Sequence, residues 1–436
     1  MIRAERFFRR PGILLCLPPV LLAPYLLFAI RGGIPVQLPG FLAVTCCILA
    51  VATFILTRAG ARAALERHEQ FFVWVGSFLF FLAAWKFGSA LNPGAVGPEA
   101  YNFHQELLDV EQGGFFTHPS EHRTEFAIHF SPVLLLLVPL FHLHPHPDTI
   151  FAIGSLVMSL AIPLAWRFLR MKWSPSSAAL LAFGAGLYPS LLSLHGDFSP
   201  VRFAPPAIWF LLIAYRRRRP VLLGIAVISC WMVKETVLLA VVMLAAVAFV
   251  ERRGARWYGP LGLAGIGLFL LTNQWILPWF AGTAGKTSTI AAQFGYWGQS
   301  APAVLAGFLG DPVSVARAIF RLNNLAYVLK LGHSVMFLLP LGSPLLLLAC
   351  PEFFVNAIAG YYPGLIEVSR PGPWTSLVGH YSATIGTVIW AAATEAWAVK
   401  CGDSNSGTEE EEWSRARLLF LAVIASIIYP TNAESL

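Results

Sequence analysis

Apolar residues in this chain fall into long blocks separated by short polar punctuation. Blocks at 12–30, 38–57, 70–91, 149–169, 177–195, 258–281 and 381–399 approach or exceed the length of a membrane crossing, which takes roughly 20 helical residues for about 30 Å of hydrocarbon. Shorter apolar runs at 203–215, 326–341, 345–359 and 415–430 add further crossings, and 220–250 has the length of a two-helix hairpin. Backbone polar groups find no partner in lipid and period-two alternation is absent, so the blocks are read as helices. The pattern predicts an all-α polytopic integral membrane protein of about 13 transmembrane helices.

Composition agrees. Hydrophobic residues make up 57% and charged residues 12% of the 436 positions, against about 25% charged in an ordinary soluble domain. Mean hydropathy is +0.66. The net charge of +7 sits in short clusters between apolar blocks, where cytoplasmic loops of membrane proteins collect Lys and Arg, so it does not point to nucleic acid. The start "MIRAERFFRR" precedes an apolar block but no small-residue cleavage site follows, which reads as a retained first helix. Six cysteines show no paired spacing, so neither a metal framework nor a disulfide scaffold is indicated. "GTAGKTST" at 282–289 lacks the earlier glycine of a phosphate loop, because Phe280 stands there.

The basic clusters set a topology. Arg3 to Arg10, Arg58 to Arg67, Arg167 to Lys172, Arg216 to Arg219 and Arg252/Arg253 all belong inside. The N-terminus is then cytoplasmic, the C-terminus outside, and 149–169 runs inward. That leaves "HFSPVLLLLVPLF" at 129–141 beginning and ending outside, as part of a re-entrant or interfacial helix over 129–144. Four regions follow: N-terminal transmembrane helices (1–91), an outer loop with amphipathic and re-entrant helices (92–148), a core transmembrane bundle (149–400), and a cytoplasmic acidic loop with the last transmembrane helix (401–436).

This topology gathers unusual polar residues outside. The first outer loop carries Glu99, His104, Gln105, Glu106, Asp109, Glu111, His118, His122 and Glu125, with His129 behind it. "HGDFSPVRF" adds Asp197 and Arg202, the hairpin tip adds Lys234 and Glu235, and "GHYSA" adds His380 and Tyr381. An adjacent cation and carboxylate deep in an apolar hairpin are costly, and such residues are functional candidates. The repeated "HFSP" and "DFSP" place Pro after Ser, a helix-start pattern in which Ser can cap and the terminus can attract anions.

Sugar transfer from a lipid phosphate needs a carboxylate to take a proton or hold a metal, and cations for the departing phosphate. Glu99, Asp109 and Asp197 are the catalytic candidates, and Glu99 and Asp197 the metal candidates, for Mg2+ or Mn2+. His129, Arg202, Lys234, His380 and Tyr381 are the phosphate or substrate candidates, supported by His104, Gln105 and Glu235.

"FHQELLDVEQGGFF", "HFSPVLLLLVPLF", "LYPSLLSLHGDFSPVRFAPP", "VKETVLLAV", "LPLGSPLLLLACPEFFVNAIAG" and "GHYSA" occur in this order over about 95–400. In order and character they resemble the predicted prokaryotic membrane-protein family called domain of unknown function 2079 (DUF2079). The family is itself similar to the GT-C type of polyprenyl-phosphate-sugar glycosyltransferases. The resemblance implies a GT-C-like fold in the prokaryotic inner membrane, an essential outer-loop acid at Glu99, and a polyprenyl-phosphate sugar and membrane lipid as partners. His104 stands where the family has a second aspartate, Ser199 where it has histidine, and Thr236 where it has aspartate. The two other classes compatible with the sequence are a transporter or flippase, and an inactive lipid- or partner-binding relative.

Overall fold

The computed structural model describes residues 66–91, 98–192, 194, 198–282, 294–298, 301–359, 382–402 and 409–428. Among the described residues it is helical, with a single isolated bridge between Thr117 and Thr124 and no strand. The first two apolar blocks, Asp197, His380, Tyr381 and the loop at 403–408 lie outside the described residues.

The centre of the bundle is α5 (Pro147–Leu169). It packs on α1 (Glu69–Leu91), α6 (Pro175–Gly186) and α7 (Ala204–Arg216). Ahead of it lie α2 (Pro98–Glu111), the single turn α3 (Glu125–Ile128), a 3-10 turn Pro132–Leu136 and α4 (Val138–Leu143). Beyond α7, helices α8 (Pro220–Val233) and α9 (Leu238–Val250) form the predicted hairpin. Its two ends meet where Arg216 Nη1 lies 2.6 Å from Glu251 Oε1 and Arg253 Nη1 donates to the Tyr215 carbonyl at 3.1 Å.

Next, α10 (Ala255–Leu271) continues through one π turn, Thr272–Ile276, into α11 (Leu277–Ala281). Two helices arise where the apolar pattern assigned none: α12 (Ala301–Gly310) and α13 (Pro312–Ile319), the latter capped by Asp311, whose Oδ1 accepts from Ser314 N at 3.0 Å. The chain closes with α14 (Leu322–His333), α15 (Cys350–Ile358), α16 (Ala383–Gly402) and α17 (Glu409–Ile428).

Helix lengths modify the expected span count. Only Pro147–Leu169 and the continuous stretch Ala255–Ala281 are both long and apolar enough to cross, among the described residues. Prolines divide two of the other stretches: the 177–195 block becomes α6 and a separate turn Pro189–Leu192, and 326–359 becomes α14, two 3-10 turns and α15. Proline has no N–H and clashes with the preceding turn, so apolar length alone overestimates helix length.

Because lipid tails are as apolar as leucine, such helices associate through close packing and polar bonds rather than by escaping water. A Cβ at Gly184 would fall 2.6 Å from Trp390, and one at Gly386 would collide with Ser190 Oγ. Ser77 Oγ donates to the Ser159 carbonyl at 2.8 Å, Tyr188 to Leu331 at 2.6 Å, and Trp390 to Leu181 at 3.1 Å.

Most charged groups gather at two poles. At the basal pole, where α5, α7, α9 and the C-terminal part of α16 end, Lys172 Nζ lies 2.9 Å and Arg216 Nη2 2.6 Å from Glu395 Oε1, and Ser343 Oγ donates to Oε2 at 2.7 Å. Arg253 Nε pairs with Glu251 at 2.8 Å and Arg170 Nε with Glu69 at 2.9 Å. Among the described residues, three of the clusters that the charge rule assigned to one side, Arg167 to Lys172, Arg216 to Arg219 and Arg252/Arg253, share one pole. At the other, apical, pole sit α2, the loop 112–124, α3 and the tip of the α8–α9 hairpin.

Candidate functional site

The apical site begins with α2. Ala100, Phe103 and Leu107 are buried on one face and join an aromatic core with Phe116, Phe126, Phe130, Phe141, Phe151 and Phe198. Glu106 lies on this same buried face, with no exposed surface. Both its carboxylate oxygens lack a hydrogen-bond partner among the described residues.

After α2 the chain folds back on itself. Gly114 N donates to the Asp109 carbonyl at 2.9 Å and Thr117 N to the Asp109 carboxylate at 2.9 Å. Gly113 has φ of 88°, and a Cβ at Gly114 would collide with the Asp109 carboxylate. Both positions thus favour glycine, the first for its left-handed backbone and the second for space. His118 N donates to Arg123 at 2.8 Å and Glu125 N to Phe116 at 2.8 Å, closing the loop. This construction brings His118 and Glu125 back over α2, and the ligand atoms of Glu106, His118 and Glu125 lie within 4.8 Å of one another.

Electrostatics matches the geometry. Burial, then Glu125, then Asp109 push the Glu106 carboxyl far above the usual carboxylate range. Burial also raises Glu125, against the lowering pull of Lys234. Burial lowers the His118 imidazole. Two carboxyls with low-dielectric surroundings cannot both ionise without a cation.

The hairpin tip adjoins this cluster. Lys234 breaks the helix in an extended conformation with φ of −169°. Glu235 Oε1 lies 3.0 Å from His129 Nδ1 and Oε2 accepts from Phe130 N at 3.0 Å, so the head of "HFSP" is docked on the tip. Phe130 packs on Trp231, with ring centroids 5.2 Å apart. The Lys234 ammonium lies within electrostatic reach of Glu125, Glu235 and Glu352. It makes no hydrogen bond or close ion pair with any described residue.

The remaining candidates are spread around this core. Glu99, half-buried on the first turn of α2, is within electrostatic reach of Glu125. Asp109 holds the loop. His104 packs edge-on against Phe141 with centroids 5.6 Å apart, and Gln105 is half-buried beside it. Arg202 is fully buried between the Phe151 and Phe198 rings, and its Nη2 donates to the Leu194 carbonyl.

Both "FSP" segments start a helical turn with Pro at its first positions, as read from the sequence. The turns are 3-10, and neither Ser131 nor Ser199 makes a side-chain cap. With φ of −124° and −148° and a five- or four-residue turn behind each, they offer no extended helix terminus for an anion. Sequence reasoning named Glu106, His118 and Glu125 in the loop but did not select them. The available signal was Glu106 three residues after Phe103 and one before Leu107, on the apolar face of α2.

Among the described residues the fold is an all-helical bundle of apolar helices with a polar apical site. The chain matches the model of the family described as "Predicted membrane protein (DUF2079)" over residues 101–432, and it belongs to that family. No curated protein and no solved structure matches it.

Proposed function

We propose that the apical pole faces outside and transfers a sugar from a polyprenyl-phosphate donor, in the manner of a GT-C glycosyltransferase. The observation that carries this reading is Lys234, an ammonium held at a helix break among Glu125, Glu235 and Glu352 and bonded to no described residue. A lysine kept near carboxylates but bonded to none is set to receive a second anion, and a phosphate leaving group is such an anion. Glu99, at the edge of the same cluster, is the base for the acceptor hydroxyl. Arg202 is enclosed by aromatic rings, so in this reading it ties Leu194 to the turn Pro200–Phe203 and leaves phosphate contact to Lys234.

Membrane placement follows from lengths. The α8 helix rises about 21 Å at 1.5 Å per residue, so the hairpin tip stops inside a membrane entered from the basal side. Residues 129–144 dip to meet it: His129 reaches Glu235, while His142 Nδ1 returns to Glu111 of α2 at 2.8 Å. In a cysteine-free background, a cysteine replacing His146 is expected to react with an impermeant thiol reagent in intact cells, and one replacing Met171 only after permeabilisation. The opposite pattern would invert the poles.

Transfer is tested with purified protein, polyprenyl-phosphate sugar and a lipid or peptide acceptor. Lys234→Ala and Glu99→Gln should each lower turnover by about a hundredfold or more, within the range for one acid–base or charge-stabilising group, with the melting temperature retained. Full turnover in Glu99→Gln removes the proposed base, and turnover unchanged in Lys234→Ala removes the phosphate anchor. One observation favours a carrier instead: the hairpin is broken at an ionisable residue, as in the discontinuous helices of transporters. Solute flux into proteoliposomes that depends on Lys234, with no transfer, would select that reading.

A further inference from the structure

We propose that Glu106, His118 and Glu125 bind one divalent first-row cation, Mn2+ or Zn2+, at the apical pole. This site differs from the Glu99 and Asp197 pair suggested by the sequence, and it does not depend on the transferase reading.

Three features of the fold converge on it. The donor atoms of the three side chains lie within 4.8 Å of one another. Ligands 2.0–2.2 Å from a common ion sit up to about 4.3 Å apart, so side-chain shifts of about half an ångström close the site. Glu106 has no exposed surface, one of its oxygens faces the cluster, and neither oxygen takes a hydrogen bond from any described residue. Buried polar groups in folded proteins are nearly always bonded, and such an exception calls for an unplaced ion or water.

The third feature is that the loop is built to deliver the imidazole. Asp109, Gly113 and Gly114 turn the chain, and the Thr117–Thr124 bridge closes it with His118 on the inner side. His118 Nδ1 accepts from Glu121 N at 3.3 Å and lies 3.2 Å from Ser120 Oγ. Ligation through Nε2 requires the ring proton to sit on Nδ1, which then gives up the Glu121 N–H and donates to Ser120 Oγ, the usual outer support of a metal-bound histidine.

Charge and donor type narrow the ion. Two carboxylates offset the two charges of a divalent cation, and one imidazole favours Mn2+, Zn2+ or Fe2+ over Ca2+. Mg2+ prefers to keep several waters and fits a buried three-sided site poorly. Three protein ligands leave coordination positions open, the arrangement of sites that bind substrate oxygen. Lys234 lies within electrostatic reach of Glu125, and its ammonium favours a phosphate oxygen as the further ligand.

The alternative is that Glu106 and Glu125 share protons and hold no ion. The full-length protein, purified in detergent and freed of metal by chelation, would be titrated with Mn2+ followed by electron paramagnetic resonance, then with Zn2+ in competition. One Mn2+ per chain is expected, displaced by Zn2+, with a rise in melting temperature. Glu106→Gln and His118→Gln should each weaken binding by more than about tenfold. Glu106→Gln keeps the shape of a carboxyl that is neutral without metal, so its metal-free melting temperature reports whether the fold is intact. No binding, or binding unchanged in folded Glu106→Gln and His118→Gln proteins, overturns the site. Because binding is read without substrate, a protein that binds Mn2+ but transfers no sugar would sink only the transferase, and one that transfers sugar after chelation would sink only the metal.

Discussion

The basal and apical poles use the same residue types in opposite ways. At the basal pole Glu69, Glu251 and Glu395 each meet a cation, and Tyr215 and Ser343 supply further hydrogen bonds. A cavity of about 200 Å³ lies there, lined by Phe168, Trp173, Lys172, Arg216 and Glu395, but its carboxylate is already committed. At the apical pole Glu106 has no bonded partner, Glu125 is buried beside it and Lys234 is bonded to none of the acids around it. Matched charges hold helices together, whereas mismatched ones cost stability and persist where they serve binding or chemistry. The comparison therefore makes the basal pole the clamp and the apical pole the site.

The largest expected effect breaks the clamp. Glu395→Ala would leave Arg216 with Glu251 as its remaining counter-charge, which softens the loss, and Lys172 without a partner. Removing one partner of a buried pair costs about 3–5 kcal/mol, less the share that the half-exposed Lys172 regains from water. Thermal unfolding in detergent should show a drop of many degrees; a drop under about one degree would mean that the network contributes no net stability. Next comes the docking of "HFSP" on the hairpin tip. Glu235→Ala deprives the His129 ring of one partner and leaves the buried Phe130 N–H without its carboxylate, at about 1–3 kcal/mol for one buried unsatisfied group. Hydrogen exchange at Phe130 should accelerate in that variant, while exchange along α5 stays as it was.

A smaller effect tests Arg202. A Cβ at Gly154 would fall 2.7 Å from Arg202 Nη1 and 2.9 Å from its Cδ. Gly154→Ala must displace a guanidinium wedged between two phenylalanines, and overpacking of this kind costs about 1–3 kcal/mol. Loss of that stability with transfer unaffected would confirm Arg202 as a strut. Loss of transfer at full stability would return it to the site.

How much of this was legible in the sequence differs between the poles as well. The basal clusters were readable because the positive-inside rule needs only the positions of Lys and Arg, and Arg170, Arg216 and Arg253 do converge. The hairpin at 220–250 was legible for the same reason. Helix lengths were not, because Pro189, Pro340 and Pro351 interrupt blocks whose hydropathy is continuous. Nor was the apical trio, since Glu106, His118 and Glu125 are separated by twelve and seven positions. Only the folded loop, turned by Asp109 and two glycines, brings them within reach of one another. Motif comparison favoured Glu99 over Glu106 because it tracks position along the chain and not the face of α2.

The smallest expected change in stability sharpens the comparison most. Glu106 and Glu125 have folded pKa values raised above the ordinary 4.5, Glu125 to about 8 and Glu106 to about 10. For an acid whose folded value is raised, the stabilising contribution is complete below the unfolded value and is lost as pH climbs through the folded one. Metal-free protein should therefore lose stability between about pH 5 and 10. Glu106→Gln carries no such proton, so near neutral pH its melting temperature should match the parent within about one degree, and its decline toward alkaline pH should be shallower. Saturating Mn2+ should flatten the parent's decline as well, because the cation replaces the protons. A basal acid such as Glu395, already paired, gives no such alkaline instability. If Glu106→Gln instead melts far below the parent at neutral pH, the buried carboxyl is a structural member like Glu395, and the contrast between the two poles fails at its central residue.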